Sequence, residues 1–326
     1  MDWSAGGAPL VAMRAVHFAA TAITAGNMLF RIVIAEPILP PQASLAAVFR
    51  SQAQRVSYCG LAIAVISGAI WLLLQSASMS GLPLHDALAA DVLSTVINET
   101  QFGEVTIVRA GFAICVAACL VFDRAAIAQW FGLTASFALA ASLAWTGHAG
   151  ATVGATGYLH LVADALHLIA AAAWLGGLVP LILLLSAARR NDALLLATDA
   201  VRRFSALGVI SVTALMLSGL INAAILVGSF RALIVTSYGQ LLLLKLALFA
   251  IMLALATINR LLLTPRLARP GAGGLRWLAR NSSIELALGL AIYAIVGLLG
   301  TLHPAIHLVI MQSGPDAVST LLPLAV

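Results

Sequence analysis

The sequence predicts an all-α, polytopic membrane protein: a single integral membrane domain over residues 1–326, with eight transmembrane helices in a bundle. Three observations predict it. Of the 326 residues, 62% are hydrophobic and 9% are charged, against roughly 45–50% and about 25% in soluble domains. The apolar residues gather in runs of about 20, the length that crosses a bilayer. Turn-forming residues separate those runs. A soluble fold must cover its surface with polar groups, so this composition excludes an ordinary soluble enzyme, a disordered chain and a nucleic-acid-binding domain. Lipid is the expected surrounding.

The first run covers about 10–34. MDWSAGGAPL before it has no basic stretch, so no cleaved signal peptide is expected and the run stays as a helix. EPILPPQ closes it, and the second run follows at 57–75. SMSGLPLHD ends that one. Residues 83–100 then mix apolar and acidic side chains and read as an amphipathic helix on the membrane surface. The third and fourth runs are 105–122 and 130–147, closed by GHAGATVGATG. Runs at 158–186, 204–228 and 239–262 precede RPGAGG, and the eighth covers 283–302. Cys59, Cys115 and Cys119 lie inside apolar runs. An odd count argues against a disulfide framework. Cys115 and Cys119 share a helix face, as two small buried residues or as a soft-metal pair.

Thirteen of the 17 basic residues fall on the odd-numbered links. They are Arg31, Arg50 and Arg55; Arg124; Arg189, Arg190, Arg202 and Arg203; and Arg260, Arg266, Arg269, Arg276 and Arg280. Arg14, Arg109, Arg231 and Lys245 lie on the other side or in the half-membrane next to it. The net charge of +5 is thus an orientation signal: odd links cytoplasmic, both termini outside. On that topology all seven histidines (His17, His85, His148, His160, His167, His303 and His307) fall in the outer half or beyond it. Met13, Met79 and Met311 share that level. Imidazole is a metal ligand and proton carrier, and imidazole with thioether suits copper better than a hard cation.

His160, Asp164 and His167 occupy one face of the fifth span within an arc of about 60°. Two imidazoles and a carboxylate there make a divalent-metal or proton site, with Asp164 as ligand or as partner fixing a histidine tautomer. His148 ends the preceding span, and the glycine-rich link can fold it over this face. Met13, His17, Thr21, Thr24, Met28 and Arg31 form one stripe of the first span that faces the bundle, as a path or as packing. His303 and His307 flank Pro304, which disturbs their chelating spacing. His85 and Asp86 belong to an acidic outer segment. Lys245 is expected to snorkel outward and Glu285 to pair with Arg280 or a loop arginine. Ser211, Ser218 and Asn222 line one face of the sixth span and read as helix–helix hydrogen bonding. Ala170–Ala173, Gly176 and Gly177 read as close packing around Trp174. No Walker loop, GxGxxG, CxxC or GxSxG motif is present, so neither a nucleotide engine nor an enzyme is expected.

The stretch GHAGATVGATGYLHLVADALHLIAAAAWLGGLVPL (147–181) resembles the central signature of the CopD/PcoD copper-resistance membrane proteins. RFSALGVISVTALMLSGLINA (203–223), TSYGQLLLLKLALFAIMLALATINRLLLTPRL (236–267) and ELALGLAIYAIVGLLGTLHPA (285–305) follow in the family's order, giving a matching core of about 147–305. The resemblance implies an eight-span inner-membrane protein with periplasmic termini. It also implies a copper ion as cargo, moved from periplasm to cytoplasm, and a periplasmic CopC-like copper-binding partner. No β-rich segment is seen, so that partner is expected to be a separate protein. His148, His160 and His167 lie in the shared motif and are expected at the copper site. His17, Asp164, His303 and His307 join them on the reading of helix faces. A membrane b-type cytochrome, with His17 and His167 holding haem, is the alternative, as is a copper-binding factor that does not transport.

Overall fold

The computed structural model describes residues 7–40, 44–191, 193–267 and 273–306. Among them are eight helices long and apolar enough to span a membrane. They are α1 (Gly7–Ala35), α2 (Ser44–Ser80), α3 (Gln101–Val121), α4 (Ala126–Thr146), α5 (Gly154–Arg190), α6 (Leu194–Val227), α7 (Ser237–Arg266) and α8 (Gly273–Leu299). No strand occurs among the described residues. All eight expected spans are present, but several run longer on the basic side. Helix α2 begins at Ser44 rather than near 57 because 44–56 is amphipathic: Leu45, Phe49 and Ala53 stay buried while Arg50 and Arg55 face out. Its 37 residues reach about 55 Å, beyond the roughly 30 Å of a hydrocarbon core. Helix α6 likewise starts at Leu194, holding Ala197, Ala200, Val201 and Phe204 inward. A hydropathy reading stops at the arginines; the helix continues because its inner face is still apolar.

The expected surface helix at 83–100 is two short helices, Leu84–Ala87 and Ala90–Glu99, which bury Ala87 and Val96 and leave His85 and Asp86 exposed. Thr100 stops the second and caps α3, its hydroxyl accepting from the Gly103 amide at 3.1 Å.

Helices α1 and α5 form the centre, and α7 is the most exposed. α1 packs against α2, α4, α5 and α8. Its crossing with α5 is made by small residues. A Cβ on Gly26 would collide with the Ala172 carbonyl and the Gly176 backbone, and one on Gly176 with the Ala22 carbonyl. Ala22 and Gly26 therefore mesh with Ala172 and Gly176, each pair four residues apart, so the two backbones touch. α5 takes a π-helical turn at Ala172–Gly176, just ahead of Pro180, which cannot donate into the helix ladder. α1 takes another at Phe30–Ala35.

That second turn carries Arg31 into the interior, where it is 2% exposed. Arg31 pairs with Asp123, from the link between α3 and α4, and its Nε lies 3.4 Å from Glu36. Gln129 closes the group, donating to Glu36 at 3.3 Å and to the Asp123 carbonyl at 3.0 Å. Arg31 thus ties two odd-numbered links together at one end of the bundle, its charge matched by two carboxylates.

The α1–α5 contact predicts a sharp contrast among glycines. Gly26→Val or Gly176→Val should cost roughly 2–3 kcal/mol or more by overpacking. Gly111→Val, where nothing lies within 4 Å of the added carbon, should cost well under half of that. Thermal unfolding of the detergent-purified variants measures the difference.

Candidate functional site

The end of the bundle opposite Arg31 carries the histidines. His148 opens a short helix, His148–Ala151, directly after α4. The glycine-rich link then turns back on itself. Gly154 has a positive φ of 73°, and a Cβ on Gly157 would collide with the Thr152 carbonyl. Only glycine allows that closeness, and it sets Thr152 beside α5. The Thr152 hydroxyl donates to the His148 carbonyl at 3.0 Å and lies 2.9 Å from His160 Nδ1. With the hydroxyl proton committed to His148, His160 Nδ1 is the donor, and its Nε2 keeps a lone pair. His160 is 1% exposed. His148 Nε2 donates to the Leu299 carbonyl at 3.3 Å, and its ring meets Tyr238 edge-on at 5.9 Å. Thr152 thus bridges the His148 backbone and the His160 ring. The expected fold-back of the link is therefore present.

Deeper on α5, Asp164 and His167 face α6. Asn222 Nδ2 donates to Asp164 Oδ1 at 3.1 Å. Ser218 Oγ donates to the Ala214 carbonyl at 2.6 Å and accepts from His167 Nδ1 at 3.0 Å. His167, like His160, is thereby held with Nε2 carrying the lone pair. Ser218 and Asn222 do form the expected interhelical hydrogen bonds. Lys245 does not behave as expected: it is half-buried, and its charge acts on both Asp164 and His167. The attraction of Asp164 across the α5–α7 gap favours that inward position, which its place on α7 alone could not reveal.

His17 belongs to a third group. Its Nδ1 donates to the Ala64 carbonyl at 2.8 Å, Ser67 Oγ is 3.3 Å away, and its Nε2 accepts from Arg109. Both ring nitrogens are engaged. Trp71 lies against the ring at 5.6 Å, and the guanidiniums of Arg14 and Arg109 stand 5.2 and 5.0 Å from the Trp71 ring centre. Arg14, Arg109 and Trp71 were not read from sequence as partners of His17. They come from three helices, and no local spacing signals the meeting. The expected inward-facing stripe of α1 is present: His17, Thr21, Thr24, Met28 and Arg31 are buried.

The structure thus forms a pair (His148, His160), a second pair (Asp164, His167) and a separate His17. It does not gather them into one mouth: among the described residues no three His, Cys, Asp or Glu side chains stand together as a metal-binding group. His160 and His167 are seven residues apart on α5, about 10 Å along the axis. Ligands to one ion lie about 2 Å from it. His17 turns toward α2 and α3 and His167 toward α6, so they do not present a facing haem pair. His303 is exposed beyond the end of α8. His307 and Met311 lie outside the described residues.

Comparison with known proteins finds matches over most of the chain. Residues 3–158 match the family described as copper resistance protein D-like, N-terminal domain, and residues 198–299 match copper resistance protein D. The chain is 32% identical over 299 residues to inner membrane protein YebZ of Escherichia coli (strain K12), covering 90% of this chain and 98% of that one. It is 29% identical over 269 residues to copper resistance protein D of Pseudomonas syringae pv. tomato, covering 78% and 84%. It is 32% identical over 225 residues to copper transport protein CutJ of Bacillus subtilis (strain 168), covering 67% of this chain and 40% of CutJ. No solved structure matches. Two family patterns that together span most of an eight-helix chain, and a relative matched almost end to end, place this multi-pass membrane protein in the copper resistance protein D family.

Proposed function

We propose that the chain carries copper ions across the bacterial inner membrane from periplasm to cytoplasm, with both termini periplasmic, and that it is not an enzyme. One observation carries the reading. His160 and His167 each donate Nδ1–H to a hydroxyl on a neighbouring segment and so present Nε2 with its lone pair. That is how a protein prepares imidazole as a metal ligand. Copper docks first between His148 and His160, then passes to Asp164 and His167. Two stations about 10 Å apart along α5 suit movement better than storage. The names copper resistance protein D and copper transport protein CutJ among the relatives support copper as the cargo. A separate periplasmic CopC-like protein delivers the ion to the His148 side.

Lys245 fits this sequence of events as a resident positive charge beside Asp164. An arriving metal cation takes over that role, so the carboxylate is never buried uncompensated.

Metal analysis and proteoliposome uptake test the reading. A His160→Ala/His167→Ala double variant should lose bound copper and at least about tenfold in uptake, the loss that follows removal of metal ligands or their supports. Unchanged binding would refute the site. A visible spectrum of the purified protein should show no Soret band; such a band would favour haem. Uptake should also depend on pH. Only neutral imidazole ligates metal, so uptake should fall as acid protonates the ligating histidines.

A further inference from the structure

A cavity of about 180 Å³ lies at the opposite end of the bundle, between α5, α6, α7 and α8. Trp174 and Leu178 line its inner wall and Ser205, Asn259, Arg260 and Glu285 its polar side. Glu285 is 2% exposed. Asn259 Nδ2 donates to its Oε1 at 2.5 Å, and Asn281 donates to Asn259 Oδ1 at 3.0 Å, fixing the amide so that its NH₂ faces the carboxylate. The expected ion pair of Glu285 is absent: among the described residues the ion pairs are those of Arg31 and of His85. Arg280 stacks on Trp277 at 5.3 Å. Arg260, which shares the cavity, donates instead to the Ser205 carbonyl at 2.9 Å and hydroxyl at 3.0 Å. A carboxylate is buried at the most basic end of the molecule, and no arginine among the described residues pairs with it. An ionisable group left so inside a membrane protein marks a path for ions.

The same face of α6 joins this cavity to the outer histidines. Asn222 and Ser218 hold Asp164 and His167. Ser211, 3% exposed, comes two turns further in. Gly208 then lies beside Trp174 and lines the cavity. Trp174 is 2% exposed, packs edge-on against Phe249 at 6.0 Å, and stands between the two sites.

We propose that Glu285, with the cavity it faces, is the inner station for the metal cation that leaves the outer histidines, and that Trp174 separates the two. This rests on the transport reading above. The donors explain the direction of transfer. The outer stations offer imidazole nitrogen beside the Asp164 carboxylate, which suits copper; the inner one offers the Glu285 carboxylate without imidazole, which holds it more weakly. An exit site must bind loosely enough to release.

Equilibrium dialysis of the full-length protein in detergent with Cu(II), and copper uptake in proteoliposomes, test this. Wild type should show a tight copper equivalent and a weaker one. Glu285→Gln should keep the tight equivalent, which also reports a folded protein, lose the weak one, and take up copper about tenfold more slowly or worse. Glu285→Asp should recover part of the rate. Ala256→Phe, which fills the cavity from the α7 side, should slow uptake similarly. A weak equivalent that survives Glu285→Gln, or uptake within twofold of wild type, would overturn the proposal. The transport reading fails separately: wild type then takes up no copper, while the Glu285-dependent equivalent still decides the inner station.

Discussion

The rest of the structure depends on the contact between α1 and α5. Ala22 and Gly26 lie on Ala172 and Gly176 with no side chain between the backbones. In lipid there is no hydrophobic force to press two apolar helices together, so the fit itself must supply the association. Small residues let the two most buried helices run side by side, and the other helices arrange around them. The contact also brings the outer halves of α1 and α5 to one level. His17 and His167 are each five residues before their partners in the crossing. Their surroundings then separate them: α1 turns His17 to α2 and α3, while α5 turns His167 to α6.

That separation sorts charge across the outer end. On the α1 side, Arg14 and Arg109 are buried against Trp71, and no carboxylate pairs with either among the described residues. Guanidinium stacked on an indole gains from the ring's electron density, but the charge stays positive. His17 spends its lone pair on Arg109. A metal cation therefore finds neither a ligand nor a favourable potential there. On the α5 side, Asp164 offers a carboxylate that offsets Lys245, and His160 and His167 keep their lone pairs. The same residue type at the same depth plays two parts, set by what each ring nitrogen meets.

Much of this was legible in the sequence, and the reasons differ by feature. The eight spans follow from length and composition, because the membrane imposes both. The glycine-rich link advertised its fold-back, since Gly154 and Gly157 occupy positions where a side chain cannot sit. The serines and Asn222 of α6 announced a polar face, and that face met Asp164 and His167. Relations between distant helices were not legible. Arg109 meeting His17, Lys245 meeting Asp164, and Arg31 meeting Asp123 depend on which helices become neighbours, and no local period encodes that. Helix faces were assigned in angle, but angle alone does not gather ligands when axial separation is about 10 Å. The helix extensions past the arginines escaped for a related reason: mean hydropathy registers composition, whereas Leu45, Phe49 and Ala53 act through their placement on one face.

The two ends of the bundle handle buried charge in opposite ways, and the contrast bears on direction. At the basic end Arg31 is enclosed with Asp123 and Glu36, a closed ion-pair group that staples two links. The same end leaves Glu285 with the Asn259 amide as its partner among the described residues, although arginine is abundant on the surrounding links. Leaving a buried carboxylate without a countercharge is costly, and pairing it with arginine would relieve the cost. Arg260 shares the cavity yet is held by Ser205. An arginine bound to Glu285 would fill the carboxylate permanently, because guanidinium neither loses its proton nor leaves its stem. A carboxylate kept from arginine and facing a cavity is open to a cation that can depart, which is what a chain of sites ending in oxygen donors requires.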